Sequence, residues 1–380
     1  MSIKRVLISV AVLITTACIA LILSGNSHLF KAIKSTYLIG KTGPSITDNN
    51  LFEHDSLKTN FSSSFIESKT QITLTDNQKS KVNAWKTTSL LILKNDSVLY
   101  ERYWSGFNKN SISNSFSVAK SFTSIAIGAA IQDGFIKSVE DPIHLYVPNL
   151  SKDKKSIKIK HLLTMSSGID FGESYGDPFG FMAKTYYGKE LYDLTINKPL
   201  LKESGTEFHY QGGNTLLLSF VIEKATGKRF VEYFYERIWS KLGAENNALW
   251  GKTSNDQKTK SYCCFYSTAR DFAKVGKLVL EKGMRNNEQI IPKKFIENSI
   301  APINIKDASG RLIDYYGYQW WLGEYDGFNY HYARGILGQY IVIVPSKNIV
   351  LVRLGHLRDK TKNVKTPSDL FVYLDIIKNL

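Results

Sequence analysis

Cysteine is almost absent: Cys18, Cys263 and Cys264 are the only three in 380 residues. Cys18 lies in an apolar run near the N-terminus, and adjacent cysteines rarely close on each other, so neither a disulfide framework nor a cysteine metal cluster is expected. Acidic residues fall short of basic ones, 34 against 49, for a formal charge of +15. The lysines are nevertheless spread along the chain, with no dense basic block, zinc-finger spacing or aromatic RNA-binding signature. The charge therefore reads as a solvated surface, and no nucleic acid partner is expected. No solenoid-type repeat occurs. What the chain does have is a 43% hydrophobic content, enough to bury a large core in one domain or two intimate subdomains.

Long apolar runs are confined to the start. Lys4 and Arg5 precede Val6 to Leu23, eighteen residues without a charge, close to the length of a membrane-spanning helix. The positive-inside tendency then puts the rest of the chain outside the cytoplasm, on the periplasmic or extracellular face. A cleaved signal peptide, or lipidation at Cys18, is the alternative. The run continues past Cys18 without a clear small-residue exit before Ser24-Gly25-Asn26, which favours an uncleaved anchor.

Three segments follow: residues 1–25 as anchor, 26–85 as a polar, loop-like extension, and 86–380 as the main domain. "SLLILKNDSVLYERYW" predicts a hairpin turning at Lys94 to Ser97. A helix is expected from Ser117 to Ile131, and helical patterns dominate about 137–300, two of them stopped by glycine. "YGYQWWLG", "FNYHYARG", "QYIVIVPS" and "NIVLVRLGH" return to strands before a last helix from Pro367 to Leu380. The expected fold is α/β in an α+β arrangement: an antiparallel sheet from 86–115 and 315–380, flanked by helices, with an inserted helical lobe. A cleft between sheet and lobe is the natural site.

"NSFSVAKSFTSIAIGAA" places Ser117 three residues before Lys120, on one face of a small-residue helix. Serine is a poor nucleophile until a base takes its proton, and an amine can do so only when neutral, which a dry setting favours. The helix N-terminus adds free N–H groups that stabilise negative charge. Spacing alone does not decide the matter, since Ser151 to Lys154 repeats it in a charged loop. Gly172-Glu173-Ser174-Tyr175-Gly176 matches the nucleophile elbow G-x-S-x-G, but without the required strand before and helix after.

From about residue 85 onward the chain resembles the serine β-lactamase-related family of class C β-lactamases, penicillin-binding esterases and 6-aminohexanoate-dimer hydrolases. The likeness rests on "FSVAKSFTS", "IKHLLTMSSGI", "GTEFHYQGGNTLLLSFVIEKATGK", "STARDFAKVG" and "ARGILGQYIVIVP", in that order. It implies a β-lactamase/transpeptidase-like fold and an acyl-enzyme on Ser117 with Lys120 as base. Tyr210 falls at the family's proton-relaying tyrosine, and the N–H of Ile336, with that of Ser117, at its oxyanion hole. Tyr175, Asn214, Arg334 and Gly335 are the implied substrate contacts. No metal or cofactor is implied, and the expected partner is a small-molecule or short-peptide ester or amide.

Departures bear on the substrate. Gly212 stands two residues after Tyr210, where a β-lactamase normally has Asn, and Asn214 comes two later. Lys-Thr-Gly is missing near residue 334; Lys41-Thr42-Gly43 lies in the extension, far ahead of the serine. An ester or amide is thus expected over a β-lactam, with a penicillin-recognising peptidase or a non-catalytic peptide- or glycan-binding protein as alternatives. His161 reads as a helix-start residue, His209 as a neighbour shaping Tyr210, His331 as an exposed strand residue, and Asp271 as a group fixing the lobe. Tyr186 and Tyr187 border the loop with Tyr175.

Overall fold

Strand β3 (Thr87–Lys94) is apolar on both faces, as a strand buried between two layers must be. In the computed structural model, which describes residues 2–361 and 365–380, β3 lies inside a seven-stranded sheet. Its hairpin partner is β4 (Ser97–Tyr103), joined through Asn95 and Asp96 in left-handed conformations, the geometry that suits a two-residue turn. Antiparallel pairing continues from β3 through β16 (Ile349–Gly355), β15 (Gln339–Val344) and β14 (Phe328–Gly335) to β13 (Trp321–Tyr325). The far edge is β2 (Ile66–Glu67), parallel to β4. Both ends of the main domain thus meet in one sheet, as expected.

The sheet separates two cores. Leu90 and Ile92 face one of them, with Tyr330, Tyr332, Tyr340 and Val342, beneath α3 (Asp76–Ala84) and α12 (Ser368–Ile377). Leu91 and Leu93 face the other, where α10 (Ala269–Leu280) crosses β15 and β16. Behind α10 packs the lobe: α4 (Val118–Gln132), α5 (Ile159–Leu163), α7 (Tyr192–Ile196), α8 (Gly212–Thr226), α9 (Phe230–Arg237) and α11 (Lys293–Ser299). Helix α4 is buried nearly all round, and its small residues admit close neighbours. Polar side chains on it bond to other segments, as Ser121 and Ser124 donate to the carbonyls of Gln319 and Tyr318, each at 2.7 Å.

Strands also run through the lobe. β1 (Glu53–Leu57), β7 (Ala248–Lys252), β8 (Phe265–Ser267) and β5 (Ser113–Asn114) form a second sheet in the order β1-β7-β8-β5. Two small pieces complete the set: β6 (Glu207–Phe208) with β11 (Ile305–Asp307) and β12 (Leu312–Ile313), and the hairpin of β9 (Met284–Arg285) with β10 (Glu288–Gln289).

The polar extension is docked, not loose. Ile46, Phe52 and Leu57 are buried, and the Asp48 carboxylate accepts hydrogen bonds from Tyr186 at 2.6 Å, Tyr266 at 2.8 Å and Asn114 at 3.2 Å. Composition hides this because a few apolar anchors and one buried carboxylate are enough to hold a polar segment. Ahead of it, α2 (His28–Ser35) packs on α6 (Phe181–Tyr187). Helix α1 (Ile3–Leu23) is long and apolar enough to cross a membrane, and none of it is buried in the protein.

Three further expectations are corrected. Cys263 and Cys264 are bonded to each other, inside a buried segment whose backbone turns left-handed at Cys264. His331 is buried, facing the lobe from a strand that is covered on both sides. The strand expected from Tyr316 starts only at Trp321, because Gln319 turns left-handed and its side chain bonds to Thr215 and the Leu162 carbonyl.

Candidate active site

The approach to α4 is held in an uncommon turn. Phe116 has a φ of 45°, a left-handed conformation costing a bulky residue about 1–2 kcal/mol. Burial of its ring and an N–H bond to Asn114 Oδ1 at 2.9 Å keep it there. Ser117 follows as the N-terminal cap of α4, with its side chain not used for capping. Its Oγ instead accepts from Lys120 Nζ at 3.0 Å. Among the described residues the Ser117 N–H has no backbone acceptor, so this donor at the positive end of a helix is available to an anion.

Lys120 is only 1% exposed. Its other acceptor is the carbonyl of Tyr262 at 3.3 Å, and its Nζ lies 5.2 Å from the ring centre of Tyr210 and 5.3 Å from that of Tyr262. Tyr210 is half-buried and leans on Trp321, 5.4 Å between ring centres. Burial pushes the phenol of Tyr262 upward, which keeps it neutral beside the amine, and does the same to that of Tyr316, which meets Tyr210 edge-on. Arg334 stacks its guanidinium 3.4 Å from the ring centre of Trp321, a cation–π contact that presents a planar donor fork with no carboxylate partner among the described residues.

Strand β14 reaches the serine through a glycine. A Cβ on Gly335 would lie 2.3 Å from the Ser115 carbonyl, so only glycine lets the strand come this close to the segment leading into Ser117. Ile336 then opens a short turn, Ile336–Gly338. Gln339 donates to the Ile336 carbonyl at 3.1 Å and to that of Gly355 at 2.8 Å. Arg353, fully buried, donates to the carbonyls of Leu337 at 3.1 Å and Gly338 at 2.6 Å.

A loop covers the opposite side. Glu173 accepts from the Gly212 N–H at 2.6 Å and from the Tyr175 hydroxyl at 2.7 Å. Tyr175 is 59% exposed, with its hydroxyl held by the Glu173 carboxylate. Asn214 stays apart: buried in the first turn of α8, it donates to Met165 Sδ at 3.6 Å and to the Gln211 carbonyl at 3.4 Å. Ser117, Lys120 and Tyr210 are thus gathered, Arg334, Gly335 and Ile336 end a strand against Ser115, Tyr175 joins through Glu173, and Asn214 makes internal contacts.

The rival motifs lack the setting their chemistry requires. Ser174 is exposed in a loop with neither strand nor helix beside it. Lys154 is buried and donates to the Ile196 carbonyl at 2.8 Å, away from Ser151. His161 caps α5 by accepting from the Lys158 N–H at 3.2 Å, and burial lowers it to about 4. His209 lies 3.0 Å from Gln211 Nε2. Asp271 receives the N–H groups of Glu245 at 2.6 Å and Asn246 at 3.1 Å, which fixes the lobe as expected. A surface groove lined by Tyr146, Tyr192, Phe220 and Glu223 shares no residue with this set.

Tyr262, Glu173, Gln339 and Arg353 were not found from the sequence. Tyr262 reaches Lys120 from 142 positions away, a separation that no local pattern encodes. Glu173 could have been sought from the missing Asn at position 212, since Glu173 Oε2 lies 3.4 Å from where a Cβ on Gly212 would stand.

Residues 82–370 match the family model described as Beta-lactamase. The chain is 27% identical over 293 residues to the 6-aminohexanoate-dimer hydrolase of Paenarthrobacter ureafaciens, covering 72% of this chain and 73% of that protein. It is 28% identical over 138 residues to the teichoic acid D-alanine hydrolase of Staphylococcus aureus, covering 36% of this chain and 32% of that one. A solved structure described as a putative 6-aminohexanoate-dimer hydrolase from Bacillus anthracis superposes with a TM-score of 0.75 at 23% identity, over 87% of this chain and 92% of that one. A family VIII carboxylesterase gives 0.63 at 15% identity, over 82% and 98%. At such identities these two structures establish the fold.

Proposed function

This chain belongs to the beta-lactamase family, and from that premise we propose that it cleaves an ester or amide through an acyl-enzyme on Ser117. Lys120 takes the Ser117 proton as Oγ attacks the carbonyl. The N–H groups of Ser117 and Ile336 receive the charge that grows on the carbonyl oxygen, where each such donor typically contributes ~10²–10³ in rate. Tyr210 carries the proton on to the leaving group, and water then releases the acyl group by the reverse path. The observation that carries this reading is the 3.0 Å contact between Lys120 Nζ and Ser117 Oγ at the mouth of a buried helix.

The departures at Gly212 and near Arg334 favour a linear ester or amide. The relatives' names, a dimer hydrolase and a D-alanine hydrolase, fit that range of substrates. Arg334 on Trp321 supplies a cation for a substrate carboxylate. Helix α1 acts as a membrane anchor that leaves the catalytic domain on the outer face.

A panel of p-nitrophenyl esters, short-chain amides and a cephalosporin, run on the parent, Ser117→Ala and Ser174→Ala, tests the proposal. Ester or amide turnover should vanish in Ser117→Ala and persist in Ser174→Ala. The reverse pattern would refute it, and turnover of the cephalosporin with no ester or amide hydrolysed would move the assignment to β-lactams.

A further inference from the structure

Helix α2 has two apolar sides, and the protein covers only one. His28 and Leu29 are buried against the domain. Phe30 and Ile33, three apart on α2, are exposed, and past the non-helical Thr36 the short turn Tyr37–Ile39 exposes Tyr37, Leu38 (by 74%) and Ile39 in succession. Lys34 and Lys41 flank this stripe in the exposed set. A short element carrying large apolar side chains outward between lysines has the make-up of a helix lying in a membrane interface.

Its place in the chain says what covers it. Only Ser24 to Ser27 separate α2 from α1, so the two helix ends are at most roughly 18 Å apart even if that link were fully extended. The link is in fact folded: the Gly25 N–H donates to the Ile22 carbonyl at 3.1 Å and the Asn26 N–H to that of Leu21 at 2.8 Å. The start of α2 is thereby held close to the end of α1.

The same element touches the candidate site. His28 Nε2 lies 2.8 Å from the Pro178 carbonyl, in the loop that carries Glu173 and Tyr175. α2 also packs on α6, whose Thr185 hydroxyl meets the Tyr262 hydroxyl at 2.9 Å. Phe179, next to Pro178, is exposed as well.

We propose that the Phe30–Ile33–Leu38 face docks on an anionic phospholipid bilayer, so that the cleft takes esters or amides presented by amphiphiles held at the membrane surface. This rests on reading α1 as an anchor and Ser117 as the nucleophile. Apolar side chains enter the acyl boundary, and the lysines meet lipid phosphates. The loop over Tyr210 is thereby held at the interface from which the substrate arrives.

The test uses the chain from Asn26 onward, because α1 contributes no buried residue to the rest, together with the full chain in lipid. The shortened protein should sediment with vesicles of equal phosphatidylcholine and phosphatidylglycerol, and a Phe30→Ser/Ile33→Ser/Leu38→Ser variant should partition at least ~10-fold less. In the full chain that variant should lose ~10-fold in hydrolysis of vesicle-embedded p-nitrophenyl palmitate and keep its rate on soluble p-nitrophenyl butyrate. Equal partitioning of parent and variant, or a shortened protein that stays with the supernatant, would overturn the proposal. So would a lipid-free dimer abolished by the same substitutions, which would assign the face to a second copy. Labelling by a soluble fluorophosphonate is scored in parallel: its loss in every form would refute the Ser117 reading, while sedimentation still decides the docking.

Discussion

Tyr210 shows what a single hydroxyl is asked to do. Its ring stands beside Lys120 Nζ and against Trp321, so Tyr210→Phe keeps the packing and removes only the proposed proton relay. Turnover should fall ~100-fold with an unchanged melting temperature, as steady-state kinetics and calorimetry on one preparation would show. His331 makes the complementary case for stability. Burial lowers its imidazole to about 4 from an ordinary 6.5, and its Nε2 has no partner among the described residues. Between those two values the unfolded chain takes up a proton that the folded chain refuses. Stability is therefore full above pH 6.5 and falls as the pH drops toward 4. Urea unfolding at pH 7.5 and 4.5 should show His331→Leu reducing that loss by about 2–3 kcal/mol, with His161 shifting the same way and retaining its own share. His331 was misread because an alternating strand next to an exposed edge looks the same in sequence whether or not a lobe covers it.

The elements that matter are α4 and the turn after β14. Ser117 and Lys120 were legible because both lie on one helix, and a single periodicity places them together. Arg334, Gly335 and Ile336 were legible only through their order among other motifs. The braces of that turn were not: Gln339 opens the neighbouring strand β15, and Arg353 comes from β16, one strand farther across the sheet. A Cβ on Gly338, where φ is 85°, would collide with the Arg353 guanidinium. Gly338→Ala should consequently displace the Ile336 N–H and lower kcat by ~10²–10³ with a smaller change in KM. An unchanged kcat in a folded variant would remove Ile336 from the oxyanion hole.

At the scale of the molecule, the sheet closed by both ends of the main domain and the lobe between them follow from the strand and helix patterns. The docking of residues 46–57 does not, since it depends on Asp48 finding three partners at Asn114, Tyr186 and Tyr266. Those partners also support the turn into Ser117 through Asn114, so the extension is tied to the site. Asp48→Ala leaves three buried donors without their acceptor and should destabilise the protein by about 2–4 kcal/mol, readable as a lower urea midpoint with an unchanged slope.

The central claim is a covalent bond to one oxygen. Incubating the protein with a fluorophosphonate or an activated ester, digesting it and mapping the modified peptide by mass spectrometry tests that bond directly. The account predicts one adduct per chain on Ser117, absent from Ser117→Ala and strongly reduced in Lys120→Ala. An adduct on Ser174 or another serine, or hydrolysis that continues at full rate with Ser117 unmodified, would contradict it.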